Sequence, residues 1–501
     1  MLRDIIRNVT QEMEAGYAEP LFRGIIQDFA RRLEIQCGEL AAEFGNTLDF
    51  GAVEQAVADT CAYFSANIFQ TMLNNIFVNA IFMAALKAYA ATRGMHFKEY
   101  REITICLGNG QRIRVMSPYF IKASPKRKGS KRYRKQQKNG DIHIGLSVCG
   151  FIGHYSSVLL NEAVQMALLC PSFEVACTVL ERRGIRLDVK AVRRLCRLSG
   201  NIESHLRGKI SLSGEEVLKG GTLVISIDGG RLRERRRKRG RKAKNAKRQG
   251  YHTNWKEPKL FTIYLTDGEG NIIKKFKPLH DATMGDHTEM FELLEQYLSA
   301  LNLGDVERIV FCGDGGEWIW NDVEKLLEKK IFDKDKVYQV LDYTHAKQNL
   351  WEIIDLAPAD KKASTAGKWE YFLWNGEIDA LKRSIEETIK EKKKREQALK
   401  KCKEYFLNNS KRMQYAKFRK EGLPCGSGHV ESAVRRVINL RLKAPGTFWT
   451  KDMAECFLFL RSQLISGRWD IFMGNLTALA RRAFRAFYEP AGTSGIMPEA
   501  A

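Results

Sequence analysis

The sequence predicts an α/β protein: a sheet built late in the chain, preceded by a mainly helical N-terminal region and interrupted by a helical insertion. Three observations predict it. From about residue 221 to 350, short apolar runs (TLVISIDGG, KLFTIYLTD, RIVFCGD, VYQVLDYTHA) are bounded by turn residues and interleaved with amphipathic stretches such as TEMFELLEQYLSAL and NDVEKLLEKKI. Before them, apolar residues recur at helical spacing from IIQDFARRLEI to IFMAALKAYA. After them, SIEETIKEKKKREQALKKCKEYF is helical in pattern and highly charged.

Taken in order, residues 1–95 form a helical N-terminal domain. Residues 96–148 hold a β-hairpin, REITICLGNGQRIRVMSPYFIK, turning at GNGQ, followed by the basic loop PKRKGSKRYRKQQKNGD. Residues 149–220 are helical; two amphipathic helices joined at RGIRLD have the form of a helix-turn-helix, with VKAVRRLCRL as its basic second helix, although any helical hairpin shares that pattern. Residues 221–350 supply strands TLVISIDGG, KLFTIYLTD and NIIKKFKPLHDAT, then helix, strand, helix, strand. Three antiparallel strands followed by that alternation is the order of an RNase H-like core. Residues 351–424 are the helical insertion, read locally as solvated helix faces laced with ion pairs. Residues 425–485 complete the core, and 486–501 are a flexible tail.

Composition narrows the partners. The chain has 501 residues, 82 Lys and Arg against 59 Asp and Glu, and a net charge of +23. That balance points to a polyanion, most plausibly nucleic acid. The longest apolar run, NIFVNAIFMAALKAYAA, is broken by Lys87, so no membrane span is expected, and the first residues lack the pattern of a signal peptide. A cytoplasmic protein is the expectation. Eleven cysteines, none in a CxxC pair, argue against a disulfide framework or zinc ribbon and for buried small apolar residues.

In the predicted order the first and fourth strands are neighbours. Asp228 ends LVISID and Asp314 ends RIVFCGD, so residues 86 positions apart would meet at one sheet edge, where ligands bind in α/β sheets. Glu431, in GSGHVESAV, would be delivered to that edge in the first turn of a later helix. Three carboxylates suit two Mg²⁺ ions, with Mn²⁺ as a substitute, poised for phosphodiester chemistry. Glycines 229, 230, 315 and 316 would leave room for metal and a DNA backbone. Each acid has a plainer role available: Asp228 and Asp314 as turn or cap residues, Glu431 as an ion-pair partner of Arg435. Asp342 and His345 are accessory candidates, Asp342 alternatively as a helix cap.

The residues also carry a family resemblance. SIDGGR, WKEPKLFTIY, GDGGEWIWN, LDYTHA and CGSGHVESAVRRVINLRLKAPGTFWTKDMAECFLFLRSQLISGRWD resemble the DDE transposases of bacterial insertion sequences, closest to the ISKra group, over roughly residues 150–475. The resemblance implies that Asp228, Asp314 and Glu431 are the catalytic, metal-binding residues and that Asp342 and His345 form an accessory motif. Cysteine pairs that such proteins often carry near residues 110–140 are absent. It implies metal-dependent cleavage at the element's ends and transfer of the 3′-OH into target DNA, with double-stranded DNA as partner and a homodimer or higher oligomer on it. Two alternatives stay open: a silent DNA-binding regulator derived from a transposase, and a nuclease that cuts without joining.

Residues 231–250 carry twelve Lys and Arg and one Glu, nearly half the net charge. Arg231, Arg233, Arg235, Arg236, Arg237, Arg239, Arg241 and Lys242, with Arg435 and Arg436, are the candidate DNA contacts. The plainer reading of 231–250 is a flexible solvated loop. Trp318, Trp320, Trp449 and Trp469 are candidates for stacking on bases, with core packing expected for at least half.

Overall fold

A computed structural model of the chain describes residues 18–47, 50–122, 143–201, 207, 218–240, 249–329 and 331–482. These fall into two compact units, one of residues up to 198 together with those from 473, the other of residues 199–472.

The first unit opens with long helices α1 (Ala18–Thr47) and α2 (Phe50–Val78), then α3 (Ala80–Ala91). Asn79 starts α3 by accepting from the N–H groups of Ile81 and Phe82. Strands β1 (Met95–Cys106) and β2 (Arg112–Lys122) pair antiparallel, with a bulge between Phe97 and Glu99. Gly110, at φ +82°, makes the turn at the expected GNG. The basic loop that follows lies outside the described residues. Helices α4 (Ile144–Val148), α5 (Ser157–Leu169), α6 (Phe173–Arg182) and α7 (Val189–Gly200) complete this part. In α7, Val192, Leu195 and Cys196 are buried while Arg193 and Arg197 are exposed, so its basic face is the outer one. Arg194 donates to the Tyr155 hydroxyl at 2.6 Å. No single described helix is long and apolar enough to cross a bilayer; α2 and α3 would pass that test only together, and they meet at a 69° bend.

The second unit holds a five-stranded mixed sheet. Its strands are β3 (Thr222–Gly229), β6 (Lys259–Thr266), β7 (Leu279–Thr283), β8 (Arg308–Gly313) and β9 (Val337–Leu341), in the order β7-β6-β3-β8-β9. Pairs β7/β6 and β6/β3 are antiparallel; β3/β8 and β8/β9 are parallel. The third strand is shorter than the sequence suggests. Residues 271–278 pair with the sheet through one bridge, Thr266–Ile272; Pro278 has no N–H to give a ladder and three lysines stand in that stretch.

Both sheet faces are covered, which is why the strands read as near-continuous apolar runs. Leu223, Ile225, Ile227, Phe261, Ile309, Phe311 and Leu341 face the main core with helices α8 (His287–Ser299), α9 (Glu317–Glu328) and α10 (Tyr343–Ile354). Val224, Tyr264, Val310 and Val340 face the other way, against Phe418 and Leu423. The charged insertion is not merely a solvated face. Its helices α11 (Lys362–Asn375), α12 (Ile378–Thr388) and α13 (Lys392–Lys401) send Trp369, Leu373, Leu381, Ile385 and Ala398 into the main core, joined by Phe406 and Tyr415.

Two features depart from the sequence reading. Residues 232–237 are not loop but one strand of a paired ribbon, β4 (Leu232–Arg237) with β5 (Tyr251–Lys256). The cysteines also divide more evenly than expected: only Cys196, Cys312, Cys402 and Cys456 are buried, while Cys37 and Cys61 are exposed.

Candidate functional site

Strand register brings three aspartates into one row. The last parallel pairs are Ile227 with Gly313 and Gly313 with Leu341. The next residues along the three strands are Asp228, Asp314 and Asp342. Neighbouring strands lie about 4.8 Å apart, so three carboxylates leave the sheet side by side. Alternation decides their direction. Val224, Val310 and Val340 share one face, and the aspartates stand an even number of residues beyond them, hence on that face.

Glu431 reaches the same face from a different element. Helix α14 (Tyr415–Lys420) is followed by a turn and then by α15 (Gly428–Ala433), which packs across β3 and β6. The His429 ring lies 4.3 Å from that of Tyr264, a member of the same face. Val430 and Ala433 are buried and Glu431 is exposed. Among the described residues no ion pair joins Glu431 to Arg435. The chain opens into a π turn, Val434–Asn439, directly after α15.

Asp342 ties these elements together. It is fully buried and caps α10, accepting from the His345 N–H at 2.7 Å and from His345 Nδ1 at 3.1 Å. Its other oxygen accepts from the N–H of Ser427, in the turn that delivers Glu431. The Tyr343 N–H donates to the Cys425 carbonyl at 2.9 Å, a second link to that turn. Burial works against the Asp342 charge, but the hydrogen bonds from His345 and Ser427 outweigh it and hold the carboxyl at about 2.

The other groups feel one another. Burial pushes the Asp228 carboxyl up to about 6; the Gly229 N–H, donating at 2.6 Å, opposes this, while Asp314 and Glu431 add to it and His345 offsets part of it. The hydrogen bond to Asp342 raises His345, burial lowers it, and the charges of Asp342, Asp314 and Asp228 raise it further. Asp314 accepts from the Gly316 N–H at 2.8 Å, so the turn role open to it in the sequence is also real. Ligand atoms of Asp342, His345 and Glu431 lie within 4.8 Å of one another, close enough for one cation. Asp228 and Asp314 border that group. The carboxylate oxygens suit a hard divalent ion, whereas an imidazole suits a borderline transition metal. The charges of Asp314 and Glu431 that help raise Asp228 are also what a cation would offset.

The glycines beside the acids do not keep space open; the protein itself fills it. A Cβ on Gly315 would stand 2.2 Å from Tyr405 Cε2, one on Gly230 2.5 Å from Ile438 Cδ1, and one on Gly229 2.5 Å from Glu257 Oε1. They allow the Tyr405 turn of the insertion and the π turn after Glu431 to close on the strand ends. Sequence reasoning passed over Tyr405, because nothing in CKEYF links it to GDGG 90 residues earlier. It also passed over Ser427, although it sits in the GSG turn. Asp342 matches Asp228 and Asp314 as the aspartate closing an apolar strand, and that pattern was the signal for an equal place in the row.

The basic candidates occupy two places. Arg231, Arg233, Arg235, Arg236, Arg237 and Arg239 lie on or beside the ribbon that leaves the sheet two residues after Asp228, and all are exposed or half-buried. Arg435 and Arg436 are exposed on the π turn. Arg241 and Lys242 lie outside the described residues. Trp320, Trp449 and Trp469 are core residues, and Trp318 is half-buried with the Lys259 ammonium 4.3 Å from its ring centre. Comparison with protein-family models, curated proteins and solved structures yields no match for this chain.

Proposed function

We propose that this chain is a metal-dependent polynucleotidyl transferase with an RNase H-like core, acting as a DNA transposase of the kind its motifs resemble. One observation carries the reading: four carboxylates and an imidazole from four separate stretches of sequence, Asp228, Asp314, Asp342 with His345, and Glu431, gather where three adjacent strands end. Unneutralised carboxylates repel, so folding alone gains nothing from assembling them. The strand order β7-β6-β3-β8-β9 is that of an RNase H-like sheet, which supports the fold assignment.

In this reading Asp228, Asp314 and Glu431 hold two Mg²⁺ ions, which when bound supply Lewis acidity at a phosphodiester. Asp342 is a positioning residue, fixing the Glu431 turn through Ser427 and the His345 ring through Nδ1. The hydrogen bond to Asp342 raises His345 and so favours its charged form, which would face a phosphate. The arginines of β4 and of the π turn hold the flanking backbone.

The test is cleavage of a plasmid carrying the sequences that flank the gene, with and without Mg²⁺. The Glu431→Ala protein is expected to lose cutting by about a thousandfold or more, while binding the same DNA as tightly as the parent. A Glu431→Ala protein that cuts at the parental rate would sink the proposal. Cut ends that are never joined to target DNA would reduce it to a nuclease.

A further inference from the structure

The β4–β5 ribbon has two unlike faces. Pairing sets Leu232 against Lys256 and Glu234 against Asn254 on the inner face, where Leu232 and Glu234 are buried. On the outer face Arg233 stands opposite Trp255, Arg235 opposite Thr253 and Arg237 opposite Tyr251. That face is exposed where it is aromatic: Trp255 is 58% and Tyr251 45% accessible.

The base of the ribbon is rigid. The Arg235 N–H donates to the Trp449 carbonyl at 2.7 Å, and the Trp449 N–H donates to the Arg233 carbonyl at 2.9 Å, so both edges of β4 are paired. The Gly230 N–H donates to the Pro258 carbonyl at 2.9 Å and closes the ribbon next to Asp228. Arg233 is held between rings, 4.6 Å from the centre of Phe448 and 5.6 Å from that of Trp255, and donates to the Ala444 carbonyl. Beside them lies a cleft of about 400 Å³ lined by Arg235, Arg237, Gln249, Gly250, Tyr251 and Thr450.

We propose that this outer face binds single-stranded nucleic acid, an unpaired stretch of the strand that enters the acidic cluster; the proposal rests on the reading above of what that cluster acts on. Charge complementarity selects a polyanion, since the only acid of β4, Glu234, is on the inner face. Arginines at every second position recur about 6.7 Å apart along the strand, a spacing that suits successive phosphates. The rings select an unpaired strand. A stacked duplex offers phosphates and groove edges but no free base faces, whereas splayed bases stack on exposed aromatics between basic groups. Trp255 and Tyr251, four residues apart on one strand face, give two such platforms.

The experiment measures binding of the full chain to a short labelled single strand and to the blunt duplex of the same sequence, in EDTA so that no cleavage intervenes. Trp255→Ala is expected to weaken single-strand binding about tenfold and leave duplex binding within about twofold, while Trp255→Phe keeps most of the affinity. Arg235→Ser with Arg237→Ser should flatten the single-strand salt slope by about 1.4, or about 0.7 per phosphate contact. Equal losses on both DNAs for Trp255→Ala, or no loss on either, would overturn the proposal. A chain that discriminates in this way but never cuts with Mg²⁺ keeps the proposal and sinks the reaction. A chain that cuts, yet binds the single strand equally well with Trp255→Ala, sinks the proposal alone.

Discussion

Replacing Gly315 with alanine tests whether the space beside Asp314 is filled or open. The added Cβ would stand 2.2 Å from Tyr405 Cε2, 2.9 Å from Cζ and 3.1 Å from Cδ2. Ordinary contact begins near 3.4 Å, so the closest approach is 1.2 Å too short (3.4 − 2.2). The backbone at Gly315 is not left-handed, so the methyl group itself adds no backbone strain. Nor can the ring retreat freely: Tyr405 belongs to the π turn Cys402–Leu407 and packs edge-on against Phe406, 5.1 Å between centres, which is fully buried. Overpacking of this kind costs about 2 kcal/mol. For a unit of this size that lowers the melting temperature by roughly 4–8 °C. Circular dichroism during heat and urea unfolding measures it. Tyr405→Ala alone removes a packed ring and costs about 3 kcal/mol. In the Gly315→Ala, Tyr405→Ala double variant the methyl meets no ring, so its loss should fall short of the sum by about 1–2 kcal/mol. Additive losses, or an unchanged melting temperature in Gly315→Ala, would refute the packing argument and restore the open-space reading.

Two further predictions concern the elements that hold the site. Arg461, buried, donates through Nε to the Val437 carbonyl at 2.7 Å and through a terminal nitrogen to that of Arg436, the carbonyls of the π turn after Glu431; Arg461→Met should cost about 2–4 kcal/mol in urea unfolding, because those acceptors lose their donor in a dry site. A Met variant as stable as the parent would show the turn to be self-supporting. His280, buried on β7 with its ring against the Thr262 hydroxyl at 3.0 Å, is lowered by burial to about 3, with Arg436 and His429 adding to it. The unfolded chain therefore takes up this proton near pH 6.5 and the folded chain only near 3, so stability is flat above 6.5 and falls by roughly 1.4 kcal/mol per unit as pH drops through that window. Urea midpoints at a series of pH values should show that slope in the parent and a shallower one in His280→Gln; equal slopes would remove His280 from the account.

Short apolar runs in TLVISID, RIVFCGD and VYQVLD marked the strands and put an aspartate at the end of each, and the two-residue period of a strand set those aspartates on the face of Val224, Val310 and Val340. Those are consequences of backbone geometry, which neighbouring residues alone determine. The glycine turn before HVESAV likewise announced a helix start with Glu431 in its first turn. The order of elements placed the first and fourth strands together, but the residues could not determine in what register they pair. That is a matter of long-range pairing, and a slip of one residue would have turned Asp314 away from Asp228. Only folding made Asp342 a third member of the row and sent its second oxygen to Ser427. Only folding filled the gaps at Gly229, Gly230 and Gly315, since a glycine in sequence marks the need for close approach without naming what approaches. The basic stretch from 231 misled for a related reason. Its charge dominates the composition, while the pairing that orders residues 232–237 comes from YHTNWK, residues 251–256, and from Trp449, more than two hundred residues away.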